Sequence, residues 1–129
     1  VIVVDASALV AIGDEEPEAD HFLEILERTA SCIAAVNYVE TGLILIGRRR
    51  LATQEDLDYW LRELGVKVTP DENLASEALS AYLAYGRRYH PAKLNLADCF
   101  AYALAKQLDA PLLYKGDDFP LTDVRSARG

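Results

Sequence analysis

The sequence predicts an α/β fold, with a central parallel sheet of four or five short strands and helices on both of its faces. Three observations carry that expectation. The strand candidates are near-continuous apolar runs, as strands covered on both sides are. Apolar residues at helical spacing fill the intervals between them. Strands separated by helices run parallel, because each helix returns the chain to the edge from which it left. With 129 residues, 51% hydrophobic and 26% charged, the chain reads as one domain over 1–129, large enough to bury a proper core.

Val1 to Val4 ("VIVV") form the first expected strand, ending on Asp5. A short helix begins at Ser7 and reaches Ile12, and Pro17 opens another through about Arg28, with Ala19, Phe22, Ile25 and Leu26 on one face. "SCIAA" (31–35) is the second strand, and "VNYVETGLILIGRRR" reads as a helix. "TQEDLDYWLREL" is its antiparallel neighbour, with Thr53 as N-cap. "VKVT" (66–69) is the third strand, followed by a long helix over "NLASEALSAYLAYGRRY" and another over "LADCFAYALAKQL" (96–108). "PLLY" (111–114) is the fourth strand, and Val124 is placed at the start of a fifth. In sheets of this kind ligands bind beyond the carboxyl ends of the strands, which is where Asp5 falls.

The formal net charge of −8, from 21 acidic residues against 13 Lys+Arg, argues against indiscriminate attraction to nucleic acid or to anionic membranes. It leaves room for acids gathered around a cation. No apolar run approaches the roughly 20 residues of a membrane span, and no basic region precedes the first apolar stretch as a signal peptide requires. Cys32 and Cys99 lie outside any CxxC pattern, so buried free thiols in a reducing cytoplasm are expected. Together with His21 and His90 they lack the spacing of a zinc site.

Four places hold acids against the local pattern. Asp5 closes an all-apolar strand, either as the N-cap of the next helix or as a metal ligand. Glu40 falls within a stripe formed by Val36, Val39, Leu43, Ile44 and Gly47. It either reaches solvent with its tip or serves a site, and nearby Gly42 suggests a close approach of another element. Asp98 follows Asn95, an N-cap by residue type, so it is either a capping-box acid or an acid aimed at a site beside the sheet. Asp117, Asp118 and Asp123 follow the fourth strand in a turn marked by Gly116. If the first and fourth strands are neighbours, these acids share one edge. Two bare carboxylates about 5 Å apart repel by roughly 3 kcal/mol at an effective dielectric near 20. A cluster of them therefore calls for protons or a hard cation, Mg²⁺ or Mn²⁺ rather than zinc.

"VIVVDASALVAI", "YVETGLIL" and "NLADCFAYALAKQLDAPLLYKGDDFPLTD", taken in order, resemble the PIN-domain fold and specifically the VapC toxins of bacterial toxin–antitoxin pairs. The resemblance runs over essentially the whole chain. It implies a Mg²⁺- or Mn²⁺-dependent endoribonuclease with 5′-phosphate and 3′-hydroxyl products, held inactive by a VapB-type antitoxin. Matched motif by motif, the acids fall on Asp5, Glu40 and Asp98, with Asp117 as the fourth and Asp118 as its alternative. Ser7 is a nearby hydroxyl, and Asn95 caps or orients Asp98.

Two basic clusters stand against the acidic balance: Arg48, Arg49 and Arg50, and Arg87, Arg88, His90 and Lys93. Both lie near an acid in sequence and are candidates for RNA phosphate contact, with Tyr82, Tyr85 and Tyr89 available for stacking on unpaired bases. Helix ends favour Arg for dipole reasons alone. His21 and His90 read as surface or capping residues. Phe22, Leu23, Leu26 and the Tyr59–Trp60 region suggest more apolar surface than one thin domain buries, for a homodimer or an antitoxin segment. Competing readings are a phosphoacceptor receiver domain with Lys115 as its distal lysine, and a PIN scaffold that binds without catalysing. The receiver needs acids paired early and an Asp ending a central third strand, whereas "VKVT" runs into Pro70.

Overall fold

Ile2, Val3 and Val4 are all nearly or wholly buried, so their strand has no face to offer water and must be covered on both sides. The computed structural model describes residues 1–128 and supplies that cover. β1 (Ile2–Val4), β2 (Ser31–Ala34), β3 (Val66–Thr69) and β4 (Leu112–Leu113) form a parallel sheet in the order β3-β2-β1-β4. Val3 pairs with Cys32 on one side and Leu112 on the other.

Side chains alternate across the sheet, and the two faces build two cores. Ile2, Val4, Ile33 and Leu113 pack with Leu9, Phe22 and Leu57 under α1 (Ala6–Gly13), α2 (Ala19–Arg28) and α4 (Gln54–Leu64). Val3, Cys32, Ala34 and Leu112 pack with Leu74, Ala101 and Leu104 beneath α5 (Ala75–Tyr85) and α6 (Leu96–Gln107). The remaining helix, α3 (Ala35–Gly47), rises directly from the carboxyl end of β2 and packs between α1 and α6. The chain leaves β1 toward β2 on one side and returns as β4 on the other, so the crevice where strand order reverses lies at the ends of β1 and β4.

Local chemistry sets the element ends. Thr53 Oγ1 accepts from the Asp56 amide at 3.1 Å to start α4, and Gly65, with φ 76°, ends it in the left-handed region. Asp71 accepts from the Ala35 and Val36 amides at 2.9 and 3.0 Å, satisfying the first turn of α3 from a distant loop. α5 stops at Gly86, where a Cβ would collide with the Tyr82 carbonyl.

Several expected boundaries shift. Val1 is exposed and precedes the strand. Among the described residues Val124 starts no fifth strand, and the pairing there is an isolated parallel bridge between Leu112 and Ser126. The expected 73–89 helix ends at Tyr85, because the chain turns back through Gly86 to bridge with Leu94. The largest correction concerns α3. Its buried residues are Asn37, Thr41, Gly42 and Leu45, while Val39 and Leu43 of the expected apolar stripe are more than half exposed. Phe22 and Leu26 are core residues, Leu23 and Trp60 pack partly against the core, and only Tyr59 of that group is exposed. Among the described residues no helix is long and apolar enough to cross a membrane.

Candidate active site

Asp5 stands at the switch-point crevice, 3% exposed. Its extended backbone makes it the N-cap of α1, and its Oδ2 accepts from the Ser7 amide at 3.0 Å. Its other oxygen, Oδ1, is buried with no partner. The capping reading is thus seen, with one oxygen on the helix and the other left free for a ligand. Burial pushes the Asp5 carboxyl up to about 6, with a smaller contribution from the Glu40 charge and opposing hydrogen bonds from Ser7. Ser7 Oγ in turn accepts from the Lys115 amide at 2.9 Å, which fastens the chain after β4 to the start of α1.

Glu40 projects from α3, half-buried, with Oε1 buried and unpartnered. Burial raises its pKa first and the Asp98 charge second, while the Asn37 amide opposes the shift. Asp98 belongs to a capping box: its amide donates to Asn95 Oδ1 at 2.8 Å, and its Oδ2 accepts from the Asn95 amide at 3.0 Å. Burial again leads, and the charges of Asp5 and Asp118 add to it, lifting Asp98 to about 6 against the pull of the Asn95 amide and Arg87. The acids of β1, α3 and α6 thus feel one another, although they lie far apart along the chain.

Of the two acids open for the fourth position, Asp118 is the one whose charge acts on Asp98. Asp118 raises the Asp98 pKa together with Asp5. Gly116, with φ 116°, turns the chain, and buried Phe119 anchors the 3₁₀ turn that Asp118 begins. Asp123 is engaged elsewhere, with the Tyr102 hydroxyl and with Lys106 Nζ at 3.1 Å.

The basic clusters separate. Arg48 and Arg50 both pair with Asp14, Arg50 Nε at 2.9 Å, at the far end of α1 from Asp5. Arg49 stands exposed beside them. This cluster is a clamp between helix ends rather than part of the crevice. The Arg87 charge makes a minor contribution at Asp98, and Arg88 and Lys93 are exposed on the same loop. Of the tyrosines, Tyr85 is held against His90 and Tyr102, and Tyr82 packs edge-on to Tyr89, which alone of the three is exposed. His90 Nδ1 accepts from the Ala92 amide at 3.0 Å, a local cap. Lys115 pairs with Glu16 at 2.8 Å and Glu18 at 3.2 Å, which removes the lysine a receiver would direct at its phosphoacceptor. β3 is moreover an edge strand.

One site residue escaped the sequence reading. Asn37 is wholly buried; its Nδ2 donates to the Ala97 carbonyl at 3.0 Å and its Oδ1 has no donor. An asparagine one turn before Glu40 was the available signal. The buried side-chain atoms lacking any partner among the described residues are Asp5 Oδ1, Asn37 Oδ1 and Glu40 Oε1. All three are acceptors, and two belong to carboxylates coupled by charge. No three acids stand together as a ready-made ligand set among the described residues. The unmet need for donors or positive charge, met by oxygen atoms only, nevertheless fits a hard hydrated cation. Burial, with the Asp98 charge, pushes the Cys99 thiol up to about 11.

The PIN domain model matches residues 2–124 of this chain. The chain belongs to the PIN domain family. Within it, this PIN domain is a VapC-type ribonuclease. It is 41% identical over 126 residues to Ribonuclease VapC of Mycolicibacterium smegmatis, covering 95% of this chain and 97% of that one. It is 43% identical over 129 residues to Ribonuclease VapC42 of Mycobacterium tuberculosis, with 98% of each covered. The same fold occurs in the crystal structure of M. tuberculosis VapC20, described as a Sarcin-Ricin loop cleaving toxin, with a TM-score of 0.70 at 17% identity over 97% of this chain and 99% of that one.

Proposed function

We propose that this VapC-type PIN domain hydrolyses RNA phosphodiester bonds with Mg²⁺ or Mn²⁺, Asp5 and Asp98 being the principal ligands and Glu40 and Asp118 completing the set directly or through water. The observation that carries this is the group of buried, unpartnered acceptor oxygens at the switch-point crevice, among carboxylates whose charges couple. A bound dication would lower the pKa of its water and offset charge developing on the phosphate. Ser7 and the capping box hold one oxygen of Asp5 and of Asp98, which orients the second oxygen of each toward the crevice. Glu40 Oε1, with no donor of its own, accepts the proton of the attacking water. Arg87, with Arg88 and Lys93, meets the RNA backbone on the Asp98 side. The test is incubation of purified protein with RNA. Cleavage with Mn²⁺, 5′-phosphate ends and no cleavage in EDTA are expected; equal cleavage in EDTA would refute the reading.

Asp118→Asn is expected to slow cleavage about tenfold or more and Asp117→Asn less than about twofold. The reverse order, measured on one RNA, would return the fourth position to Asp117.

For partners, we read a homodimer and a VapB-type antitoxin. Val39, Leu43, Leu79, Leu83 and Leu96 are each more than half exposed on α3, α5 and the start of α6, the first two helices each packing on the third. Apolar surface concentrated in this way on one side suits a second copy. Leu79→Glu with Leu96→Glu should turn a dimer into a monomer in sedimentation, and an unchanged mass would place the contact elsewhere. A cleft lined by Ile12, Leu45, Leu51 and half-buried Trp60 suits an apolar antitoxin segment. The free, buried Cys32 and Cys99 accord with a reducing cytoplasm.

A further inference from the structure

On the reading of the crevice as a metal-dependent ribonuclease centre, we infer that Asn37 is a positioning residue of that centre: it ties the Glu40 helix to the Asp98 helix and accepts a hydrogen bond from a water held between Asp5 and Glu40. Three observations converge on this. Asn37 Nδ2 donates to the carbonyl of Ala97, the residue next to Asp98, so the bond spans α3 and α6 at the level of their acids. That bond also sets which way the amide points, since the flipped amide would bring two acceptor oxygens face to face. Oδ1 is thereby left as an acceptor in a wholly buried position without a donor.

A buried asparagine with a purely structural task has both ends of its amide satisfied, as buried polar groups almost always are. Here the amide acts on Glu40 and the Glu40 charge acts on Asp5, and each of those carboxylates also holds a buried oxygen without a partner. Three acceptors with no donor are met economically by water, which brings two hydrogens, or by the water shell of a cation. The amide lies one helical turn before Glu40 and favours its charged form, its nitrogen having a second hydrogen beyond the one given to the Ala97 carbonyl. Asn37 thus stands where an outer partner of a metal-bound water stands, and loss of such partners costs about 10–100-fold in metal affinity or activity.

The experiment compares Asn37→Leu, Asn37→Ala and, as a packing control, Thr41→Val. Thr41 is equally buried on the same helix, and its hydroxyl serves only the Asn37 carbonyl at 2.7 Å. Mn²⁺ affinity is read by electron paramagnetic resonance without RNA, and kcat and KM are read separately on one RNA. Asn37→Leu should bind Mn²⁺ about tenfold more weakly and lose about 10–100-fold in kcat with KM unchanged, while Thr41→Val keeps both. Asn37→Ala leaves room for a water, folds more readily, and should change in the same direction. A fall in melting temperature alone, or equal losses in the Asn37 and Thr41 variants, would overturn the inference. Wild-type protein that binds no Mn²⁺ and cleaves no RNA would instead overturn the ribonuclease reading, and this role with it.

Discussion

Asp5→Asn protein, given Mn²⁺ and RNA, is expected to cleave at least about a thousandfold more slowly than wild type. The substitution keeps the shape of the side chain and leaves an amide oxygen to accept from the Ser7 amide, so the start of α1 survives. It removes the charge and replaces the unpaired Oδ1 with an NH₂ group. An amide donates where a cation needs a lone pair, so the ligand proposed at the end of β1 would be lost. Asp98→Asn should behave alike, because its amide oxygen can still serve the capping box while the charge disappears. Circular dichroism unchanged from wild type would show that folding is not the cause. Either variant cleaving at the wild-type rate, with the same dependence on Mn²⁺, would remove that residue from the centre.

The same Asp5→Asn change is expected to make the metal-free protein more stable near pH 8, by up to about 3 kcal/mol. Asp5 is 3% exposed and its pKa is raised from 3.8 to about 6. A raised carboxyl pKa means that the folded state holds its proton more tightly than the unfolded chain does. Wild-type stability from this group is therefore greatest below the unfolded value of 3.8, falls as pH rises through about 6, and is at its lowest above that. Asp98, raised to about 6 chiefly by burial, adds to the loss over the same window. Urea unfolding in EDTA should show wild type weakening between pH 5 and pH 8 more than Asp5→Asn does, the two curves converging near pH 4. Saturating Mn²⁺ should reverse the order at pH 8, because a ligand that binds only the folded state stabilises it and the variant has lost that site. Metal-free Asp5→Asn protein less stable than wild type at pH 8 would contradict the burial cost assigned to Asp5.

Much of this centre was legible along the chain. A carboxylate closing an all-apolar strand marked Asp5, and Asn95 three residues before Asp98 marked the capping box now seen. Glu40 was picked out for a reason the structure does not uphold. The stripe taken as buried includes Val39 and Leu43, which are exposed, while Asn37, Thr41 and Leu45 face inward. Helical periodicity shows that a face is apolar without showing what covers it, and apolar surface also serves contacts with other chains. Arg48 and Arg50 lie close to Glu40 in sequence yet end on Asp14, because two turns of helix carry them toward the end of α1.

The sequence by itself determined the strand and helix order, the parallel sheet, and the acids of β1, α3 and α6, because burial, periodicity and capping are written in short stretches of residues. Tertiary structure alone brought the charges of Asp118 and Arg87 to bear on Asp98 and tied Asn37 to the carbonyl beside it. Those outcomes depend on the strand order β3-β2-β1-β4 and on how α3 lies against α6. Charge and hydrogen bonding act over a few ångströms of space, and only the packed chain brings residues so distant in sequence within that range.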